Sequence, residues 1–370
     1  MEFVVRKNDL LRELQLFQGI VERKNTIPIL ANVLIDASGE GIRLLATDLE
    51  VGLRSRCDAN VTKPGSLTVP AKKFYEIVRS LTDTEIRIVE DKNGVKISAD
   101  RFDSRLQTLP REDFPTLPEW QGTSGTSLPR AGLKEMVAKT QFAITGEDTR
   151  YFLNGALFVI RPDSMSLVAT DGHRLALVTV PRDAQAAAEA AEDRPILPKK
   201  TLGELGRLLT EGEGDVQFER GENHLFFGVG GRTLISRMID GQFPSYERVI
   251  PKGNDKHIEF ERDRLTNAVK RVALMSNERS RAIKFQIEKG RVDITSSSPD
   301  LGEAHEELPV DYAGGSMQIC FNAQYVLDFL AAVSTDIVSI DLKDEVSQAV
   351  VKPVGAEGYD YTYVIMPMRV

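Results

Sequence analysis

Apolar residues at positions 10, 14, 17 and 21 recur at helical spacing behind a short alternating opening run, predicting a strand followed by an amphipathic helix. The same order returns twice, with stripes at Leu133, Val137 and Ile144, and at Leu265, Val269 and Val272. A second helix-like segment follows in each case: Val69 to Val78, Leu197 to Leu205 and Phe321 to Leu330. Pro70 and Pro198 suit a first helical turn, where a missing N–H costs nothing, and Asn322 suits an N-cap. Between these helices lie alternating runs such as Glu85-Ile86-Arg87-Ile88-Val89 and Arg291-Val292-Asp293-Ile294, which predict half-buried strands.

The pattern is a threefold internal repeat. Leu45-Ala46-Thr47-Asp48 is echoed by Val168-Ala169-Thr170-Asp171 and, more weakly, by Ser297-Ser298-Pro299-Asp300, with spacings of 123 and 129 residues. Each copy is expected to end in a proline-punctuated strand, around Pro110 and Pro115, Pro244, and Pro367. Turn-rich, apolar-poor linkers at 121–127 and 251–255 then divide the chain into domains 1–121, 126–251 and 255–370. The alanine- and glutamate-rich stretch from Ala184 to Asp193 reads as an exposed insertion.

Composition places the 370-residue chain among ordinary globular proteins, 41% apolar and 28% charged. No apolar run approaches the ~18 residues of a membrane span, and the start lacks the pattern of a signal peptide, so a cytoplasmic protein is expected. Cys57 and Cys320 lie far apart and the four histidines are scattered, which argues against a disulfide scaffold and a metal centre. Net charge is −8, but it is unevenly spread: the six predicted helical segments carry +9 and the rest of the chain −17. Basic helices in an acidic shell suit a protein that draws a polyanion to one surface. These helices lack the interleaved aromatics of a single-strand platform and any zinc-finger or basic-zipper pattern, so contact with a nucleic-acid backbone, without base reading, is expected.

Enzyme chemistry finds little footing. No phosphate-binding glycine loop occurs, and Gly228-Val229-Gly230-Gly231 lacks a following helix. Thr170-Asp171-Gly172-His173-Arg174 is the most enzyme-like string. Asp171 and His173 together with Asp48 define the alternative, a metal-dependent DNA-acting phosphoesterase, while an Asp-Gly turn is the plainer reading of Asp171.

The threefold repeat, Ala169-Thr170-Asp171-Gly172-His173-Arg174-Leu175, Arg150-Tyr151-Phe152-Leu153-Asn154-Gly155 and the terminal Val364-Ile365-Met366-Pro367-Met368-Arg369-Val370 resemble the bacterial DNA polymerase III β subunit family, the sliding clamps. The resemblance covers the whole chain. It implies an α+β fold of three repeated clamp domains, each with two helices packed on antiparallel sheets, assembling as a head-to-tail ring homodimer around duplex DNA. It implies no catalysis and no cofactor. Inner-surface DNA contacts are expected at Lys24, Lys72, Arg79, Lys199, Lys200 and Arg207, and the charge pattern adds Arg12, Lys270 and Arg271. A pocket for short Gln-Leu-x-Leu-Phe-like segments of the replicative polymerase, the clamp loader and repair or translesion polymerases is expected from Leu153, Thr170, Gly172, His173, Arg174, Leu175, Pro244, Val249, Tyr325, Val364, Met366, Pro367 and Met368. The ring joint is expected from Leu274 and Met275 against Leu106, and from Asp300, Glu303 and Glu306 against Lys73, Arg101 and Arg105.

Overall fold

The computed structural model describes residues 1–21, 27–39, 41–92, 94–120, 122, 125–146, 148–182 and 192–369. Lys24, residues 184–191 of the expected insertion and Val370 lie outside them. Among the described residues there are six α-helices: α1 (Lys7–Phe17), α2 (Ala71–Ser80), α3 (Arg130–Thr140), α4 (Lys199–Leu208), α5 (Arg262–Ala273) and α6 (Ala323–Ala332). Each falls on an expected segment. The stripe of α1 is buried at Leu10, Leu14 and Phe17, and that of α5 at Leu265, Val269 and Val272. Asn322 caps α6, its side chain accepting from the Gln324 N–H at 2.9 Å. The two prolines sit one step earlier than expected: Pro70 and Pro198 close the strands that lead into α2 and α4.

Strands, numbered in chain order, form four antiparallel sheets. A five-stranded sheet runs β5 (Asn60–Lys63), β1 (Glu2–Arg6), β7 (Glu85–Asp91), β8 (Gly94–Ala99), β9 (Phe102–Gln107). An eight-stranded sheet runs β10 (Thr126–Leu128), β15 (Val216–Arg220), β16 (His224–Val229), β17 (Arg232–Arg237), β4 (Val51–Asp58), β3 (Gly41–Thr47), β2 (Asn32–Ser38), β6 (Gly65–Pro70). A second eight-stranded sheet runs β14 (Ile196–Pro198), β11 (Gly155–Ile160), β12 (Ser164–Thr170), β13 (Arg174–Pro181), β25 (Asp360–Ile365), β24 (Ala349–Val354), β23 (Ile337–Leu342), β18 (Lys256–Glu261). A four-stranded sheet runs β21 (Gly302–Pro309), β20 (Arg291–Ser298), β19 (Ala282–Glu288), β22 (Met317–Asn322).

These elements collect into two compact units, residues 1–130 with 200–238, and residues 131–199 with 239–370. The first holds the five-stranded sheet and the first eight-stranded sheet, with α1 packed on α2; the second holds the other two sheets, with α5 packed on α6. Each eight-stranded sheet therefore joins two sequence repeats, through β4 with β17 in one unit and β13 with β25 in the other.

The proline-punctuated ends are not strands. Arg111–Asp113 and Tyr246–Arg248 are single 3₁₀ turns in otherwise extended segments, and β25 stops at Ile365 before Pro367. Proline has no N–H to give to a ladder, so these stretches lie over the sheets instead of joining them.

Candidate functional site

The second unit contains an apolar cavity of about 230 Å³. Its frame is the turn between β12 and β13. Thr170 Oγ1 donates to the Arg174 carbonyl at 2.7 Å and accepts from the Gly172 N–H at 3.1 Å. Asp171 Oδ1 accepts the N–H groups of His173 and Arg174 at 2.9 and 3.0 Å. Gly172 has φ +88°, a left-handed conformation that a side chain would strain. Asp171 is thus held as a turn carboxylate, and its counterpart Asp48 both holds a turn and accepts the Lys200 ammonium. Among the described residues no three His, Cys, Asp or Glu side chains stand close enough to share a metal ion. The phosphoesterase alternative gains no support.

Arg174 anchors the wall beneath the turn. It is buried, donating to Asp171 Oδ2 at 3.1 Å, to the Phe142 carbonyl at 2.8 Å and to Asp328, and its guanidinium lies 4.3 Å from the Tyr325 ring centroid. Burial disfavours the charge, but Tyr363, Asp328 and Asp171 outweigh it and hold Arg174 above its ordinary pKa. Burial likewise raises the Tyr363 and Tyr325 hydroxyls, so both stay neutral donors at physiological pH.

Nine expected residues line the cavity: Leu153, Thr170, Gly172, Arg174, Leu175, Pro244, Val249, Val364 and Met366. Leu175 and Val364 are direct partners across β13 and β25. His173, Tyr325, Pro367 and Met368 stand outside that lining: His173 is exposed and stacked on Tyr325 at 6.5 Å, and the Met368 N–H donates to the Cys320 carbonyl at 2.8 Å. Arg150, Phe152 and Tyr246 complete the wall and were missed. The first two lie in a string singled out for another reason, and Tyr246 follows Pro244 by two positions, so proximity to a known turn was the available signal. Arg150 closes the mouth over Gly172, held by Asp148, whose carboxyl it lowers to about 2.

The expected DNA contacts divide by what they touch. Arg79 and Lys270 are exposed and make no ion pair. Lys72 and Lys73 both reach Glu76, Arg12 reaches Glu13 at 3.3 Å, and Arg207 reaches Glu204 at 3.1 Å, where burial keeps the Glu204 carboxyl raised despite Arg207 and Lys200. Lys199 donates to the Ile144 carbonyl at 2.9 Å, while Lys200 is drawn inward to Asp48 and to the Ile20 carbonyl at 3.1 Å. Arg271 forms a two-pronged pair with Glu306, so residues expected on different surfaces neutralise each other within one chain.

At the expected joint, β9 and β21 are end strands of their sheets. Leu274 is 73% exposed, Met275 and Leu106 are half-buried, and Arg101, Asp300 and Glu303 are exposed. Arg105 pairs with Asp91 on its own sheet.

Three family models match: the DNA polymerase III beta subunit N-terminal domain over residues 1–118, the central domain over 127–245 and the C-terminal domain over 247–369. Beta sliding clamps of Pseudomonas aeruginosa and Escherichia coli K12 are 41% and 36% identical, with all of this chain and all of each relative covered. Two solved structures match over the full length of both chains. A sliding clamp from Pseudomonas aeruginosa bound to griselimycin has TM-score 0.93 at 40% identity, and the clamp from Caulobacter crescentus has TM-score 0.91 at 35% identity.

Proposed function

The chain belongs to the DNA polymerase III beta subunit family, the DNA sliding clamps, and from that premise we propose that two copies join head to tail into a ring that duplex DNA threads without being read. The division into domains 1–121, 126–251 and 255–370 belongs to the same proposal, as does action on DNA in the bacterial cytoplasm, at the nucleoid. The observation that carries the ring is the pair of end strands with opposite charge. Arg101 flanks β9 and Arg105 lies on it; Asp300 flanks β21, and Glu303 and Glu307 lie on it, with the exposed Leu274 nearby. Unpaired edges invite pairing with another chain, and complementary charge selects the partner and its direction.

Retention would then be topological. The ring needs only weak, salt-dependent attraction to phosphates, supplied by Arg79, Lys270 and the other basic helix residues, because tight clamping would oppose sliding. No step requires catalysis or a cofactor; the chain tethers enzymes. The apolar cavity beside Leu175 and Val364 would receive the leucine or phenylalanine of short segments from the replicative polymerase, the clamp loader and repair or translesion polymerases, with Arg150, Thr170 and Arg174 as polar guides.

The deciding experiment loads the protein, with its loader, onto closed circular DNA and then linearises half the sample. The ring predicts retention on circles and loss from cut ends. Equal retention on both would refute it.

A further inference from the structure

The backbone that frames the pocket occurs a second time, in the first unit. Thr47 Oγ1 donates to the Val51 carbonyl at 3.0 Å and accepts from the Leu49 N–H at 2.9 Å; Asp48 Oδ1 accepts the N–H groups of Glu50 and Val51 at 2.9 and 2.7 Å. These are the four bonds of the Thr170–Arg174 turn. Gly52 pairs with Ile235 as Leu175 pairs with Val364. The Arg237 N–H donates to the Glu50 carbonyl at 2.8 Å, as the Met366 N–H donates to the His173 carbonyl at 2.9 Å. Phe114-Pro115 stands where the second unit has Phe243-Pro244.

The side chains differ at the floor. Where the pocket has Leu175, the first unit has Gly52, and Leu117 fills the space: a Cβ on Gly52 would stand 2.6 Å from Leu117 Cδ1. Three residues on, the Trp120 ring lies against Gly228, where a Cβ would come within 2.6 Å, and its indole N–H donates to Glu219 at 2.7 Å. The chain's own linker thus occupies the groove, seated on two bare glycines.

That linker is poorly sealed below. In the second unit Phe243 and Tyr246 close an apolar cluster with Leu157, Val159 and Val168. In the first unit Asp36, Arg43 and Arg54 stand where the second has Val159, Ser166 and Leu177, and an open cleft of about 520 Å³ remains under the linker. Segments with few buried apolar contacts open at low cost. Arg43 and Arg54 make no ion pair among the described residues, and Leu49, 45% exposed with φ +79°, leaves an apolar rim where the pocket has Gly172.

We propose that the groove of the first unit is a second peptide-docking site, held shut by the chain's own linker, in which Leu117 takes the place of a partner's apolar side chain. The partner is a leucine-centred peptide with a carboxylate for Arg43 and Arg54. The inference rests on the peptide-docking reading of the pocket, and the test separates the two.

Trp120 is the single tryptophan, so its emission reports linker seating. The intact protein is titrated with labelled Gln-Leu-Asp-Leu-Phe. Wild type takes one peptide per chain with Trp120 emission unmoved; no binding at all would instead defeat the pocket reading. Leu117→Gly takes a second peptide, shifts the emission to the red, and keeps that second peptide when residues 366–370 are deleted. Gly228→Ala, which expels the indole while leaving Leu117 in place, does the same and serves if Leu117→Gly fails to fold. A folded variant that still takes one peptide per chain, all of it lost on truncation, overturns the proposal.

Discussion

Glu13 and Arg232, 219 residues apart, face each other in a buried two-pronged ion pair at 2.7 and 2.8 Å. The pair ties α1 of the first repeat to β17 of the second, and the Glu13 bond holds Arg232 above its ordinary pKa against the cost of burial. Removing one partner strands the other charge out of water. Glu13→Ala should therefore destabilise the first unit by about 3 kcal/mol, the low end for a broken buried pair because Glu211 stays 3.3 Å from Arg232. Glu13→Leu with Arg232→Met should recover most of that loss. Urea denaturation of the three proteins checks both statements.

Lys200 and Arg79 should behave differently although both were expected at DNA. Lys200 neutralises Asp48, which is 3% exposed, so Lys200→Ala should lower stability along with DNA association. Arg79 and Lys270 have no such partner. Replacing both by alanine should leave the dimer near twice 41.1 kDa and reduce the slope of log K against log salt by roughly 2, one unit per lost phosphate contact. Light scattering and DNA binding over a salt series measure the two outcomes; an unchanged slope would remove these residues from the DNA surface.

How much of this was legible beforehand follows the range of each interaction. The stripes of α1 and α5 and the cap at Asn322 are local, and periodicity reveals them. The turn at Thr170–Arg174 is also local, and its repeat at Thr47–Val51 is visible in the sequence. Lys200 with Asp48, Arg271 with Glu306 and the seat of Leu117 on Gly52 join residues dozens to hundreds of positions apart. No spacing rule encodes such pairings, so basic residues were assigned to DNA that the fold spends partly on its own carboxylates. Tyr246 was missed for a related reason: a segment that leaves the strand pattern at proline gives no sign of which sheet it covers.

Cys57 should be nearly inert in the native protein. Burial, reinforced by Asp9, Glu13 and Asp58, pushes its thiol up to about 12, and only the thiolate reacts. Cys320 is half-buried and its thiol is also raised by burial, with Lys284 opposing. At pH 8 a thiol reagent should therefore modify Cys320 before Cys57, and both should react rapidly once urea unfolds the chain. Mass mapping of the modified cysteines over time reads the order, and early labelling of Cys57 would contradict the burial of β4.

His257 and His224 should titrate on opposite sides of the ordinary histidine value of about 6.5. Asp341 bonds the His257 ring at 2.6 Å across β18 and β23, with Glu259 adding at 3.3 Å, and together they raise its pKa. His224 on β16 is lowered, by burial first and then by Arg237. For His257 the raised value means that its contribution to stability is complete below the unfolded pKa and fades as pH rises through the folded one. For His224 the sign reverses: folding favours the neutral ring, so the second eight-stranded sheet gains from His257 in mild acid while the first loses from His224. Histidine ring proton shifts followed by NMR should show the two midpoints apart. Asp341→Asn should bring the His257 midpoint down toward 6.5 and leave His224 where it was. Coincident midpoints in the unmodified protein would show that the β18–β23 pairing does not hold the His257 ring against Asp341.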